Sequence, residues 1–200
     1  RPNRQSFDVC ILENGDILLA TINNNDIDIY RSTDGITFTL AINGLFSDIT
    51  TSGQRTSIYN IELKSSGNYV SIVCTLQLSY ILLTSEVFFR SFFSADGGSS
   101  WTVREGSLTD SLKIPFSMTG IPYEYEEGEI WTHGAIDDEG TFFLINGVDG
   151  EESSLVVGVS RGGSPFEIVN GFEFTGDYTS KPVISKCSDS IYIFLYSLAQ

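Results

Sequence analysis

The acidic stretch YEYEEGE, residues 123–129, is the densest group of side chains in the sequence that could carry out chemistry. Paired carboxylates hydrolyse glycosidic bonds when they are held roughly 5–10 Å apart, and carboxylate oxygens also bind Ca²⁺. However, consecutive loop residues rarely converge on one point, and the stretch has no Asp-x-Asp-x-Asp-Gly ligand pattern. A solvated acidic loop is the other interpretation of such a run. We therefore predict no metal site and assign no catalytic residue here.

Other motifs for nucleophiles and cofactors are missing from the sequence. His133 is the only histidine, and no G-x-S-x-G segment accompanies it, so no Ser-His-Asp site is predicted. The strings GGSS and RGGS lack the lysine of a phosphate-binding loop, so we predict no cofactor. Cys10, Cys74 and Cys187 lie far apart in apolar runs. We predict buried free thiols, with one disulfide and an odd cysteine as the alternative.

Composition and charge narrow the classes of partner. The 200 residues carry a net charge of −15, with only 11 Lys and Arg and no run of them. Binding to a phosphate backbone needs clustered basic side chains, so nucleic acid is excluded as a partner. No apolar run approaches the roughly 18 residues of a transmembrane helix, which excludes membrane insertion. The 14 Phe and 9 Tyr favour an all-β protein, because aromatic side chains suit a pleated surface.

Short apolar runs alternate with turn clusters along the chain, which predicts strands rather than helices. The runs fall into groups, and each group begins with a hairpin whose turn carries Gly15, Gly67, Gly140 or Ser188–Ser190. After each of the first three hairpins, a third strand runs into a related motif: STDGITF at 32–38, SADGGSSW at 94–101 and SRGGSPF at 160–166. The first serines of these motifs are 62 and then 66 residues apart, which indicates an internal repeat.

The pattern Ser-x-Asp-x-Gly-x-x-Trp resembles the Asp-box, or bacterial neuraminidase repeat, of sialidase-like β-propellers. Residues 94–101 match it, except that Ser100 stands where Thr is commoner. Residues 32–38 match a form one residue shorter, with Phe38 for Trp, and residues 160–166 have Gly162 in place of the Asp.

The resemblance implies a tight turn between the third and fourth strands of a blade. Its Asp accepts backbone hydrogen bonds, its Gly takes the strained position and its aromatic residue tucks into the core between blades. In the third copy, Gly163 and Pro165 are expected to hold a looser turn alone. The structural box positions are Ser32, Asp34, Gly35, Phe38, Ser94, Asp96, Gly98, Trp101, Ser160, Gly163 and Phe166.

The resemblance predicts that residues 1–200 are a single segment of a β-propeller built from four-stranded antiparallel blades. About three and a half blades are expected, at approximately 6–45, 55–105 and 130–172, with a partial blade at 177–200. A four-stranded blade cannot bury both faces alone. We therefore expect a larger ring, completed by a further chain segment or by another copy.

In the family that the chain resembles, ligands bind in a funnel at the starts of the innermost strands, and the boxes lie on the outer rim. The resemblance therefore implies ligand contacts from basic, aromatic and imidazole side chains near those starts: Arg4, Arg55, Trp131, His133, Tyr178 and Lys181. Three cations would suit a carboxylate or sulfate on a sugar, and the aromatic rings could stack on the sugar. The alternative is that all six are ordinary loop residues.

Two functions remain open at this stage. The Arg-Ile-Pro signature of sialidases does not occur in the sequence, which favours a non-catalytic binding or assembly module of a secreted, cell-surface or virion protein. Its partner is predicted to be a glycan or another protein subunit. The alternative is a sialidase-like glycoside hydrolase with part of its active site outside this segment.

Overall fold

The secondary structure of the described residues consists of β-strands, as the alternating apolar runs predict. A computed structural model of the protein describes residues 7–23, 26–45, 54–80, 85–103, 130–148, 154–168, 183–187 and 190–194. Within these ranges, no helix is long and apolar enough to cross a membrane.

The strands form three four-stranded antiparallel sheets and a final two-stranded pair, each in chain order. Blade 1 contains β1 (Phe7–Ile11), β2 (Ile17–Asn23), β3 (Asp26–Ser32) and β4 (Thr39–Ile42). Blade 2 contains β5 (Gln54–Ser66), β6 (Tyr69–Tyr80), β7 (Ser85–Ser94) and β8 (Thr102–Val103). Blade 3 contains β9 (Ile130–Ile136), β10 (Phe142–Val148), β11 (Ser154–Ser160) and β12 (Glu167–Ile168), and the pair is β13 (Val183–Cys187) with β14 (Ser190–Phe194). The predicted fold class is confirmed.

The first strand of each sheet lies at the same edge, and these strands pack one against the next. Strand β1 contacts β5, β5 contacts β9, and β9 contacts β13. This is the arrangement of a β-propeller, in which the first strand of every blade lies nearest the axis. Strands β1, β5 and β9 therefore supply the side chains that face the axis.

A hydrophobic core fills the space between blades 1 and 2. Because side chains alternate across a strand, every second residue of β1–β3 faces β5–β7. The core is built from aliphatic side chains, two cysteines and one phenylalanine: Cys10, Leu12, Leu18, Ala20, Ile27, Ile29, Ile58, Ile61, Leu63, Val70, Ile72, Cys74 and Phe92. Burial of apolar area at this interface holds the two blades together.

The opposite face of blade 1 is also apolar, but it is exposed. Phe7, Val9 and Ile11 alternate with the buried side of β1, and Leu40 of β4 is exposed as well. Tyr192 and Phe194 are exposed on β14, at the other end of the row of blades. A sheet that is apolar on both faces has the pattern of a sheet that packs between two others.

The cysteines are all free thiols, so the disulfide alternative is wrong in this structure. Cys10 and Cys74 are buried, as predicted, and burial raises the pKa of Cys10 to about 11. Cys187 is exposed, so the prediction of burial is wrong there, because among the described residues the pair of β13 and β14 has a neighbouring sheet on one side only.

The turns at 32–38 and 94–101 share one hydrogen-bond network. Ser32 Oγ donates to Asp34 Oδ1 at 2.9 Å and accepts from Gly35 N, while Asp34 Oδ1 also accepts from Ile36 N and Thr37 N at 2.8 and 2.7 Å. The carboxylate closes the turn, as the sequence predicts.

The second turn repeats this network with one residue inserted. Ser94 Oγ donates to Asp96 Oδ1 at 2.8 Å and accepts from Gly98 N at 2.8 Å. Asp96 then accepts from the N–H groups of Ser99 and Ser100, and from the Ser100 hydroxyl at 2.6 Å. The inserted residue explains the difference in length between the two motifs.

The third turn, at 160–166, is held by hydroxyl groups rather than a carboxylate. Ser160 Oγ donates to the carbonyl oxygen of Ser164 at 2.5 Å, and Ser164 Oγ accepts from Arg161 N at 3.1 Å. The expectation that Gly163 and Pro165 hold this turn alone is therefore wrong, because the Ser164 side chain closes the turn in place of the missing aspartate.

The aromatic residues of the three turns differ in how far they are buried. Trp101 packs against the core and donates from Nε1 to the carbonyl oxygen of Gly98, and Phe166 is buried. Phe38 is 37 % exposed, so the expectation that it tucks between blades is wrong. The turn at 32–38 belongs to blade 1, whose outer face carries no neighbouring sheet among the described residues.

Gly98 and Gly163 place these turns against the preceding blade. A Cβ at Gly98 would lie 2.6 Å from Leu18 Cδ1 of blade 1, and one at Gly163 would lie 2.8 Å from Phe93 of blade 2. Both residues have φ of +80°, as the sequence predicts for the strained glycine position. Each turn therefore needs glycine both for its backbone and for the packing between blades.

A comparison of two alanine variants tests this packing. Gly15 has φ of +87° but would have no atom within 4 Å of an added Cβ, whereas Gly98 combines positive φ with a contact to the buried Leu18. Gly15→Ala is expected to lower the free energy of unfolding by about 1 kcal/mol, from backbone strain. Gly98→Ala is expected to cost at least about 2 kcal/mol more, because the packed core must shift. Urea unfolding measures both, and equal losses would show that the contact is unimportant.

The contribution of the Asp96 carboxylate to the free energy of unfolding is expected to depend on pH. Hydrogen bonds from the Ser100 side chain, the Ser100 backbone and Ser94 lower the pKa of Asp96 to about 2. Its contribution is therefore complete above the usual carboxyl pKa near 4 and is lost as the pH falls toward 2. Asp96→Asn is expected to cost about 1–2 kcal/mol at pH 7. Unfolding curves measured between pH 4 and pH 2 should show a smaller loss of unfolding free energy in the variant than in the wild type. Equal losses in the two proteins would contradict this account.

Candidate functional site

The structure describes one side chain of the six predicted ligand contacts. Arg55 and Trp131 lie in β5 and β9, each as the second residue of its strand, and only their backbone is described. Arg4, Tyr178 and Lys181 lie outside the described residues, as does the acidic stretch 123–129. Their proposed contacts therefore stay predictions.

His133 lies in the middle of β9 rather than at its start. The sequence predicts a strand that begins at His133, but β9 begins at Ile130, because Ile130, Trp131 and Thr132 pair with Val148, Gly147 and Asn146. This correction moves the imidazole from the mouth of the predicted funnel to a position further along the inner strand.

The imidazole of His133 meets a buried carboxylate of the neighbouring blade. Its Nδ1 atom lies 3.2 Å from Oε1 of Glu62, which belongs to β5. The side chain of Glu62 is only 4 % exposed, whereas that of His133 is 28 % exposed. Glu62 therefore contacts the imidazole from its buried side, and the imidazole itself remains partly accessible to solvent.

Lys64 links the same carboxylate to blade 1. Its Nζ atom lies 2.9 Å from Glu62 Oε2 and 3.2 Å from Asp8 Oδ2. Asp8 belongs to β1, and its Oδ2 also accepts a hydrogen bond of 2.7 Å from the backbone N–H of Leu63. Because β5 is an edge strand, this N–H points away from β6 and is available to a side chain of the next blade.

Together these residues form what we call the axial cluster: Asp8, Glu62, Lys64 and His133. Its members come from β1, β5 and β9, the first strands of three successive blades. The cluster thus joins three successive blades through polar contacts between their first strands.

The pKa values of the cluster follow from these contacts. Burial would raise the pKa of Glu62, but the hydrogen bond from His133 and the charge of Lys64 outweigh it, so the pKa is lowered. Burial would lower the pKa of Lys64, but the nearby charges of Glu62 and Asp8 raise it overall. Glu62 is therefore ionised and Lys64 is charged at neutral pH, and each stabilises the charge of the other.

Two polar side chains of the cluster, Lys64 and His133, remain partly exposed. Lys64, with 35 % of its side chain exposed, donates a hydrogen bond to Asp8 Oδ2 and lies 2.9 Å from Glu62 Oε2. His133 uses Nδ1 toward Glu62, and no described residue bonds to its Nε2 atom. The accessible surface can therefore exchange hydrogen bonds with a hydroxyl-bearing ligand, and Glu62 sets the orientation of both groups.

Sequence reasoning missed Asp8, Glu62 and Lys64. Asp8 and Glu62 stand between apolar residues, in the strings FDVCI and IEL, and Lys64 follows Leu63, which is also the pattern of a strand with one solvated face. The available signal was that all three lie in the first strand of a repeat, where the alternate face meets the axis or the next blade.

A second polar contact lies where β5 and β9 end, two residues beyond Lys64 in β5. Asp138, in the turn after β9, accepts a hydrogen bond from the Ser66 hydroxyl and lies 2.6 Å from Lys186 Nζ of β13. These contacts lower the pKa of Asp138, with Lys186 the larger cause. A groove of about 550 Å³ lies beside it, lined by Ile11, Leu12, Glu13, Ser65, Ser66, Gly67 and Asp138. The contact ties together blade 2, blade 3 and the final pair of strands, at the end of the sheets where the turns at 32–38, 94–101 and 160–166 lie.

The described residues offer no group of three or more His, Cys, Asp or Glu side chains that could hold a metal ion. The chemistry available to the axial cluster within those residues is therefore that of an ammonium group, an imidazole and two carboxylates.

Comparisons with known proteins give a structural likeness and no sequence relative. The sequence matches no protein-family profile. It also matches no curated protein. The structure resembles that of the α-L-arabinofuranosidase Arb93A from Fusarium graminearum, solved in complex with an iminosugar inhibitor, with a TM-score of 0.50 and 12 % sequence identity. The described sheets are blades of a β-propeller. The match covers 89 % of this chain and 52 % of the arabinofuranosidase, so the chain spans about half the length of that protein.

The contribution of the axial cluster to the free energy of unfolding can be tested with two lysine variants. Lys64→Met leaves the carboxylates of Asp8 and Glu62 without their shared cation, and is expected to cost about 3 kcal/mol of unfolding free energy. Lys186→Met is the matched control, because its partner Asp138 is 80 % exposed. The control is expected to cost less than about 1 kcal/mol, as exposed ion pairs do. Urea unfolding compares the two, and similar losses would mean that the cluster is solvated.

Proposed function

We propose that the chain is part of a carbohydrate-active β-propeller, a glycoside hydrolase whose sugar binds at the axis over the axial cluster. The observation that carries this proposal is the pair of accessible groups, His133 and Lys64, held by the buried carboxylate of Glu62. The sequence leaves open a non-catalytic module and a glycoside hydrolase. The propeller fold shared with an arabinofuranosidase supports the glycoside hydrolase.

His133 is proposed to act on the substrate directly. Glu62 holds Nδ1, which fixes the orientation of the imidazole and leaves Nε2 facing a sugar hydroxyl or glycosidic oxygen. A histidine positioned by a carboxylate can act as a general acid or a general base. Glu62 is then a positioning residue, since it is buried and acts through the imidazole.

Lys64 is proposed to bind a sugar hydroxyl through its partly exposed ammonium group. Glu62 does not serve as the general acid, because its lowered pKa keeps it ionised. Most glycoside hydrolases use a pair of carboxylic groups, and we propose that both come from a part of the protein outside the described residues.

We also propose that the turns at 32–38, 94–101 and 160–166 are Asp-boxes with a structural role. The shared serine and aspartate hydrogen bonds of the first two turns support this assignment. They lie at the ends of the third strands, which is the end of the blade away from the starts of the inner strands. Their carboxylates are therefore proposed to stabilise the fold without contacting the ligand.

Further blades are proposed to cover the exposed apolar faces of β1 and β14. The exposure of Phe7, Val9 and Ile11 at one end, and of Tyr192 and Phe194 at the other, supports this. The ring is proposed to be completed by further chain or by another copy.

A glycan-binding module without catalysis is the second candidate. One observation favours it: Lys64 and Glu62 already satisfy each other's charge, as groups in a purely structural network do. This candidate predicts sugar binding with no turnover.

An activity assay on the full-length protein separates the two. Chromogenic furanosides and pyranosides are incubated with the wild type, with His133→Gln and with Asp96→Asn as the fold control. We expect turnover of at least one glycoside, with a loss of about 100-fold in His133→Gln, because general acid–base groups contribute that much. Asp96→Asn is expected to keep the wild-type rate at a temperature where it is folded. Turnover that is unchanged in His133→Gln would contradict the proposed role, and binding without turnover would favour the second candidate.

A further inference from the structure

We infer that the axial cluster selects an uncharged sugar over a sugar that carries a carboxylate or sulfate. The inference rests on the proposed carbohydrate function and names the class of ligand. It is opposite to the ligand that the cations Arg4, Arg55 and Lys181 predict from the sequence.

The first argument is the balance of charge at the site. The cluster contains two carboxylates, Asp8 and Glu62, and one ammonium group that contacts both, at 3.2 and 2.9 Å. The positive charge of Lys64 is therefore already offset by its own partners. An anionic ligand that approached Lys64 would also approach both carboxylates, and like charges at such distances repel strongly where water is partly excluded.

The second argument is the kind of hydrogen bond that remains. Lys64 is partly exposed and carries N–H donors only, and no described residue bonds to Nε2 of His133, which is a donor or an acceptor according to its proton. A sugar hydroxyl is both a donor and an acceptor, so it fits either state of the imidazole. A carboxylate or sulfate oxygen only accepts, so it fits only one of those states.

The third argument is the wider field of the chain. The net charge of −15 on 200 residues gives a negative potential around the protein, which lowers the local concentration of anions. Long-range and local electrostatics therefore act in the same direction. Both favour a neutral ligand at the axis.

The test uses pairs of sugars that differ only at C6, where one member has a hydroxymethyl group and the other a carboxylate. Methyl glycosides and short oligosaccharides of glucose with glucuronic acid, and of galactose with galacturonic acid, provide such pairs. Binding to the full-length protein is measured by calorimetry. We expect the neutral member of the pair that binds best to bind at least about tenfold more tightly, with the ratio narrowing as salt rises from about 10 mM to about 1 M.

Charge variants locate the source of the preference. Glu62→Gln keeps the shape of the side chain and removes one negative charge, and Asp8→Asn does the same on the other side of Lys64. Each is expected to reduce the preference for the neutral sugar by about threefold or more, since a repelling charge is lost. Glu167→Gln is the matched control, because Glu167 is 77 % exposed and pairs only loosely, at 3.6 Å, with Arg161. The control is expected to leave the ratio unchanged, and urea unfolding identifies any variant that does not fold.

The outcomes separate this inference from the proposed function. Tighter binding of the neutral sugar that depends on Glu62 or Asp8 supports both. Equal or tighter binding of the carboxylated sugar overturns the charge selection and leaves the carbohydrate function standing. Binding of neither member of any pair, with no turnover of any glycoside, overturns both.

Discussion

The ammonium group of Lys64 lies between carboxylates of two different blades, and the arrangement of the axis depends on that contact. Asp8 reaches the group from β1, and Glu62 reaches it from its own strand β5. Removal of the cation would leave two partly buried anions without compensation, which is costly in a protein interior. The same Asp8 oxygen accepts the N–H of Leu63, so the ion pair and a backbone hydrogen bond fix β1 against β5 in one register. Glu62 then extends the contact to His133 of the third blade.

Apolar packing supplies most of the stability, and the polar contacts determine how the blades align. The buried aliphatic side chains between blades 1 and 2 would tolerate small shifts of one sheet against the other, because hydrophobic contacts are not directional. The contacts of the axial cluster and the glycine contacts of the turns at 94–101 and 160–166 do not tolerate such shifts. Gly98 has room only for hydrogen beside Leu18, at the end of the sheet away from the starts of the inner strands. The register between blades 1 and 2 is therefore fixed at two places, the axial cluster and the contact of Gly98 with Leu18.

Local features of this fold could be predicted from the sequence, whereas contacts between distant strands could not. The hairpin glycines Gly15, Gly67 and Gly140 have positive φ, and Asp34 and Asp96 accept the expected backbone hydrogen bonds, because these features depend on neighbouring residues. The position of His133 within β9 depends on pairing with β10, which the apolar pattern does not define. Asp8 and Glu62 are separated by a whole blade, so only the stacking of β1 on β5 brings them to one lysine. The exposure of Phe38 likewise depends on what lies beside blade 1, and the motif alone does not contain that information.

The central claim is that His133 is held by Glu62 through Nδ1 and meets a sugar through Nε2. His133 is the only histidine of the 200 residues, so its imidazole nitrogens can be followed by ¹⁵N nuclear magnetic resonance, with His133→Gln used to assign the signals. The account predicts that a saturating neutral oligosaccharide shifts the Nε2 resonance while Nδ1 keeps the chemical shift of a nitrogen that donates to a carboxylate. It also predicts that Glu62→Gln moves Nδ1 in the free protein. An Nε2 resonance that does not respond to any bound sugar, or an Nδ1 resonance that does not respond to Glu62→Gln, would contradict the account.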